Sequence, residues 1–492
     1  MDQSSKPRTL RFVGVALVVF GVLLFVAWRQ GWFGSGGRAR AVPNIVFVSI
    51  DSLRADHLSC YGAPRLTSPN LDRLAAEGTR VATVVAESSW TLPTHATLLT
   101  GLAQTVHGLG GGGRLSEHVV TMTELLHEAG YRTHGIWSGP YLHPYFGLNQ
   151  GFDVYESVMR LDGAATTTGD ASTAQDVIGP LHRQSYTDRT SPEIIERALR
   201  AIDAAGDQPF FLFLHFFDVH YDYDPPEEYW RRFDPKYAGT LDARDWMSNP
   251  AIHAKMPESE LRHVVARYDG EIAFTDHHLG RLFDALDARG LSDDTLVVVT
   301  ADHGDEFFEH GDKGHRNTLF DEVLLVPWIV RWPGHVKKAA VIEAQARHVD
   351  LMPTVLDFVG IAPPYALQGD SFAPAMRGVA SPPSLPAVSR LSLASAEVGE
   401  WDAFRLDRTK YVRMRNGARV IENVFDIVKD RREHAPLTGP RAEELMALAR
   451  QRLDSLRDAE MKLHDVLNAG GVTHGALPKE VEAELRQLGY LK

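Results

Sequence analysis

Five places in this 492-residue chain put metal-binding or nucleophilic side chains where a fold could gather them. Asp51 follows the apolar run Asn44–Ile50 (NIVFVSI), Asp218 and His220 follow Pro209–Phe217 (PFFLFLHFF), and Asp302 and His303 follow Thr295–Thr300 (TLVVVT). His315 lies 13 residues beyond Asp302, in Gly311-Asp312-Lys313-Gly314-His315, a loop able to fold back over the others. The fifth place is SWTLPTHATLLTG, Ser89–Gly101, where Thr91 stands just ahead of residues with helical spacing. A hydroxyl at a helix N-terminus meets unpaired N–H groups and partial positive charge, which suit an anion. Carboxylate together with imidazole suits a divalent transition ion, whereas calcium and magnesium prefer oxygen alone. A threonine hydroxyl held by such an ion is a candidate alkoxide nucleophile near neutral pH. Each residue taken singly has an ordinary alternative: Thr91 as a helix cap, His303 as a hydrogen-bonded turn histidine.

What must position these residues is a sheet. The three apolar runs have the length and continuity of buried parallel strands and are separated by helical segments such as Ser191–Ala205 and Glu258–Leu286. Strands alternating with helices indicate an α/β fold with a mostly parallel sheet flanked by helices, and in such a sheet the carboxyl ends of the strands share one edge. Ser68-Pro69 begins a helix through Leu71, Leu74 and Ala75 that stops at Gly78. Residues 164–188 read as a surface excursion. Beyond Gly378 the segments shorten (Lys410–Arg415, Val424–Ile427, a charged helix Arg441–Leu467 and a last helix ending Gly489-Tyr490-Leu491), which indicates a smaller C-terminal α+β subdomain.

Composition narrows the partners. A formal charge of −13, from 51 basic and 64 acidic side chains, leaves no footprint for nucleic acid. The one cysteine, Cys60, excludes an internal disulfide and any multi-cysteine zinc site. Phe12–Trp28 is free of charge and follows Lys6, Arg8 and Arg11; its 17 residues rise about 25 Å, enough to cross a bilayer core. The expectation is a single-pass N-terminal membrane anchor over residues 1–30, with a cleaved signal peptide as the alternative. A linker over 31–42, a catalytic domain over 43–378 and the C-terminal subdomain over 379–492 follow, with the catalytic domain outside the cytoplasm.

The order of these motifs resembles the sulfatase branch of the alkaline phosphatase superfamily. That family carries an Asp after the first strand, a Cys/Ser-x-Pro-x-Arg motif ending in Leu-Thr-Gly, a His after a central strand, and Asp-His or Asp-Asn after a late strand. Here stand Asp51, Thr91-Leu92-Pro93-Thr94-His95 with Leu99-Thr100-Gly101, His220, and Asp302-His303. The resemblance runs from about Pro43 to the end and includes Gly151-Phe152-Asp153 and Val349-Asp350-Leu351-Met352-Pro353-Thr354. It implies an alkaline-phosphatase-like fold and a divalent ion, with manganese or zinc favoured over calcium or magnesium, held by Asp51, Thr91, Asp302 and His303.

The departures are as informative. Thr91 replaces the Cys or Ser that becomes formylglycine, His95 replaces the motif's Arg, Ser52 the second Asp of the usual pair, and Ser138-Gly139-Pro140 the Lys-x-His sulfate clamp. The resemblance therefore points to the Thr-nucleophile members of the superfamily and to cleavage of phosphate mono- or diesters through a metal-bound Thr91. His220 and His315 would hold substrate oxygens or protonate the leaving group, or with Asp218 help hold a second ion. His95 is read as orienting Thr91, lining the pocket or simply packing, and Arg54 as facing phosphate or forming a salt bridge. The alternatives are a sulfuric ester hydrolase without formylglycine, a phosphoethanolamine- or phosphoglycerol-type transferase, and a non-catalytic binding protein. The substrate is expected to be a phosphate or sulfate ester of a glycan, phospholipid or small molecule. Gly110–Gly113 reads as a loop, and His134, His143, His277 and His278 as packing or surface residues.

Overall fold

The computed structural model describes residues 42–159, 189–363, 365–382, 384–392 and 398–468. The expected anchor, most of its linker, the excursion over 164–188 and the last helix lie outside the described residues. No helix among the described residues is long and apolar enough to cross a membrane.

Eight strands form the central sheet: β1 (Asn44–Ile50), β2 (Thr79–Val81), β3 (Arg132–Trp137), β4 (Val154–Ser157), β5 (Phe210–Phe216), β6 (Thr295–Ala301), β7 (Trp328–Arg331) and β8 (Ala340–Ile342). Their order is β8-β2-β7-β6-β1-β5-β3-β4. All neighbours are parallel except β7, which runs antiparallel to β6 and β2. The three long runs read as strands in the sequence are the three central ones, and every residue in them is buried. Both faces of a parallel sheet are covered, so these strands lack the polar alternation of a half-exposed strand. Register then does the positioning. Ile50 pairs with both Phe216 and Ala301, so Asp51 and Asp302 leave adjacent strands at one level.

Helices α1 (Pro69–Glu77), α2 (Thr91–Thr100), α3 (Ser191–Ala205), α4 (Glu258–Ala288), α5 (Leu351–Val359) and α6 (Pro440–Asn468) surround this sheet and the C-terminal region. Proline at the first position of α1 costs no hydrogen bond, and the open N–H groups of Asn70 and Leu71 are satisfied by Asp276 of α4. Gly78 ends α1 where a Cβ would lie 2.1 Å from the Val330 carbonyl oxygen, so only glycine fits between helix and sheet. The ten residues of α2 are all buried, which explains why its sequence shows no polar face.

The C-terminal region forms a second, antiparallel sheet, β9 (Ala387–Ser392), β10 (Glu400–Leu406), β11 (Thr409–Asn416) and β12 (Arg419–Asp426), against which α6 packs. The segment expected at Val424–Ile427 is the end of β12, and β9 and β10 were not anticipated. Charges hold this region together. Arg390 pairs with Glu460 at 2.6 Å and Arg413 with Asp402 at 2.8 Å. Lys410, fully buried, reaches Asp321 at 2.8 Å and Glu433 at 2.8 Å. Asp321 ends the loop that carries His315, so β11 clamps that loop to the second sheet.

Removing Lys410 takes the counter-charge from Glu433 and leaves Asp321 to Arg405 at 3.6 Å. Lys410→Met is expected to cost about 3–5 kcal/mol of stability in urea unfolding. A loss below about 1 kcal/mol would show that water or a neighbouring side chain takes over the lysine's role.

Candidate active site

The site is built from the bottom of its carboxylates upward. Asp302 Oδ1 accepts the backbone N–H groups of His303 at 2.8 Å and Ser52 at 3.1 Å. Ser52 takes a positive φ of 57° to turn its N–H inward, and its Oγ donates to Asp51 Oδ1 at 3.0 Å. The Tyr268 hydroxyl from α4 fixes that turn, donating to the Ser52 carbonyl and accepting from Arg54 N–H. Where the resemblance implies a second aspartate, Ser52 therefore orients the first one. Asp302 Oδ2 is buried and has no hydrogen-bond partner among the described residues.

Thr91 opens α2, and its Oγ1 lies 3.4 Å from Asp51 Oδ2 and 3.4 Å from His303 Nε2. His303 donates Nδ1–H to the Gly304 carbonyl at 3.0 Å, leaving the Nε2 lone pair facing the site. That nitrogen is 3.4 Å from Asp302 Oδ2 and 3.8 Å from Asp51 Oδ1. Four ligands at about 2.0–2.1 Å from a tetrahedral ion must stand about 3.3–3.5 Å apart, close to this spacing. The donor atoms of Asp51, Asp302 and His303 all fall within 4.8 Å of one another. The orphaned Asp302 oxygen and the mixed oxygen and nitrogen donors fit a divalent cation.

Electrostatics agree. Burial first, and then the facing Asp51, push Asp302 up to about 7; burial raises Asp51 to about 6 against the pull of His303. Two carboxylates in a dry site hold charge only at a cost that a cation removes.

The structure brings His220 and His315 to the same place. The His315 ring lies 4.2 Å from that of His303 and 4.8 Å from that of His220. His315 Nδ1 donates to Asp305 Oδ1 at 2.6 Å, and Tyr223 donates to Asp305 Oδ2 at 2.5 Å. Asp305, which the sequence reading passed over, forms with His303 and His315 a second group of donors within 4.8 Å. Its signal was present in Asp302-His303-Gly304-Asp305, three residues beyond the first carboxylate.

Other candidates go elsewhere. Asp218 accepts the N–H groups of Thr190 at 2.6 Å and Ser191 at 2.7 Å, with both hydroxyls, and so caps α3 rather than facing the histidines. Arg54 is spent on Asp56, Glu309 and the Asp305 carbonyl, the salt-bridge alternative. His95 does not line the pocket from above. One helical turn below Thr91, its Nδ1–H donates to the Thr91 carbonyl at 2.8 Å, and its Nε2 accepts from Ser49 at 2.9 Å. Burial, and then His215, depress its pKa to about 3, so it is neutral and helps fix the first turn of α2. His134 pairs with Glu156, and Ser138 bonds the His215 carbonyl and Phe217 N–H.

Arg316, unremarked in the sequence, has a positive φ of 67°. Its N–H bonds the Ser89 carbonyl at 3.0 Å, and its guanidinium stacks 4.8 Å from the Trp90 ring and donates to Tyr141 at 2.9 Å. It has no ion pair with any described carboxylate.

Comparison with known proteins finds relatives of this chain. Residues 43–361 match the Sulfatase family, and residues 309–458 match the N-sulphoglucosamine sulphohydrolase C-terminal family. An arylsulfatase of Clostridium perfringens is 26% identical over 382 residues, covering 66% of this chain and 77% of the relative. Arylsulfatase A of Homo sapiens is 26% identical over 380 residues, covering 69% of each chain. The phosphonate monoester hydrolase of Agrobacterium radiobacter superposes with a TM-score of 0.67 at 22% identity, covering 85% of this chain and 96% of that one.

The raised carboxylates carry a pH dependence. A folded-state pKa of about 7 for Asp302 lies above its unfolded value, so the folded protein keeps a proton that the unfolded chain loses. Stability of the protein stripped of divalent ions is therefore present in acid and lost as pH rises through about 7, by about 2–3 kcal/mol between about pH 5 and about pH 8. Thermal unfolding across that window, repeated with Asp302→Asn, is the check: the variant is expected to flatten the slope. A stability that rises with pH and ignores the substitution would contradict the electrostatics described.

Proposed function

Because the chain belongs to the Sulfatase family, whose members are ester hydrolases, we propose that it cleaves phosphate mono- or diesters with Thr91 as nucleophile. The observation that carries this reading is the Thr91 hydroxyl, at the N-terminus of α2 and 3.4 Å from donors on both adjacent strand ends. Asp51, Thr91, Asp302 and His303 would hold a divalent ion, and the imidazole donor favours zinc or manganese over calcium or magnesium. Such an ion, when bound, lowers the pKa of the hydroxyl and offsets the charge of the ester.

The chain's own residues supply the rest. Thr91 Oγ attacks phosphorus in line, the bond to the leaving oxygen breaks, and a phosphothreonine forms that water then hydrolyses. The positive end of α2 faces the developing charge through the Thr91 and Leu92 N–H groups, since Pro93 has none and the Thr94 N–H donates to the Trp90 carbonyl. His315, braced by Asp305, and His220 stand to hold non-bridging oxygens or to give the leaving oxygen its proton. Arg316 takes the role left open by His95, offering a guanidinium beside Trp90 to a substrate oxyanion. The positions of the family's sulfate clamp support phosphate over sulfate, since Ser138 is tied into the sheet.

A second reading, hydrolysis of sulfuric esters without formylglycine, is favoured by the arylsulfatase relatives. The apolar run Phe12–Trp28 supports a single N-terminal anchor with the catalytic domain outside the cytoplasm.

Turnover of matched nitrophenyl phosphate monoester, phosphate diester and sulfate, with zinc or manganese, separates these readings. Phosphate turnover is expected to vanish in Thr91→Ala, and Arg316→Ala to raise KM about 10-fold or more. Preferred sulfate turnover, or activity that survives Thr91→Ala, would overturn the proposal.

A further inference from the structure

His215 is the penultimate residue of β5, inside the run Phe210–Phe216, with no solvent exposure. Register places it opposite Ser49, which in turn pairs with Thr300, so the three central strands share one polar level directly beneath Asp51 and Asp302. Neither ring nitrogen of His215 makes a hydrogen bond of good geometry among the described residues. A buried imidazole in that condition costs stability, and a phenylalanine, the residue type at positions 211, 213 and 216, would fill the same place without that cost. The imidazole is nevertheless aimed at the site. Its Nε2 lies 3.4 Å from Asp51 Oδ2, and its ring meets the His95 ring edge-on at 4.8 Å. His95 in turn approaches the orphaned Asp302 Oδ2 at 3.7 Å. Asp51 Oδ1 is already fixed by Ser52, so His215 addresses the oxygen that, among the described residues, otherwise meets the Thr91 hydroxyl.

We propose that His215 is a positioning residue of the divalent-ion site: its Nε2 faces Asp51 Oδ2 at 3.4 Å from inside the sheet, unpaired among the described residues of the ion-free protein, and its N–H closes on that oxygen when the carboxylate turns to the ion, so that it binds in one orientation. Carboxylates that bind metal are themselves oriented by hydrogen bonds, and losing such a partner weakens binding by about 10- to 100-fold. The inference rests on the divalent-ion reading above and adds to it a residue that touches neither ion nor substrate.

The test uses the full-length protein stripped of metal, without substrate, and measures zinc affinity by competition with a chromogenic chelator alongside thermal unfolding. His215→Phe is expected to bind zinc about 10- to 100-fold more weakly, while its stripped form melts no lower than wild type, because an unpaired buried polar group has been removed. His215→Asn, which keeps a neutral N–H donor, is expected to regain part of the affinity. A Phe variant that binds zinc as tightly as wild type overturns the proposal, as does one whose stripped form melts well below wild type, which would mark a purely structural role. An Asn variant no tighter than the Phe variant overturns it as well. Failure of the wild-type protein itself to take up zinc or manganese would instead sink the divalent-ion reading, an outcome visible before any variant is made.

Discussion

Two carboxylates, Asp51 and Asp302, end adjacent buried strands at one level, and the rest of the site follows from their repulsion in a dry setting. Their neighbours divide the problem. One oxygen of each is satisfied by the chain itself, through Ser52 Oγ and through two backbone N–H groups. The other oxygens converge with Thr91 and His303 on a space that neutral groups alone do not satisfy. The fold therefore stores a demand for positive charge at the place where an anionic ester would arrive. Family membership makes ester hydrolysis the expected use of that demand, and Thr91 stands beside it at the head of α2.

Support for the site comes in two layers. Beneath it lie Ser49, His215 and Thr300 of the three central strands and His95 of α2, all buried polar groups. Above it the loop from His303 to Asp321 is held at both ends, by Asp305 with Tyr223 and by the buried Lys410 of the second sheet. The C-terminal region thus contributes without supplying a reacting atom. It fixes the loop that brings His315 to within 4.2 Å of His303.

Much of this was legible in the sequence because parallel strands bring their ends to a common edge, and Asp51, Asp302 and His303 each follow a continuous apolar run. His315 could be read only as standing in a loop able to fold back, and its bond to Asp305 is what holds it at the site. Asp218 shares the same edge, yet its carboxylate takes the Thr190 and Ser191 N–H groups; the sequence marks the start of that helix at Ser191 but not which strand end it meets. His95 lies four residues from Thr91, a spacing that puts it on the same helix face one turn lower, and hence behind the Thr91 hydroxyl instead of beside the open site. His215 was hidden for another reason. A single histidine in an apolar strand gains meaning only through the register between β1 and β5, which no local pattern records. Arg316 depends likewise on a positive φ that a sequence does not announce.

The sequence distances across the site have a consequence for how the protein is made. Ser52 and Asp302 are 250 positions apart, Thr91 and His303 are 212 apart, and the clamp from Lys410 to Asp321 closes 89 residues later still in the chain. During synthesis, the first carboxylate and the threonine emerge long before their partners, and the residue that steadies the His315 loop emerges last. Contacts of such separation form late and slowly. A nascent chain therefore holds no complete cluster of these donors, and the convergence of Asp51, Thr91, Asp302 and His303 belongs to the finished fold.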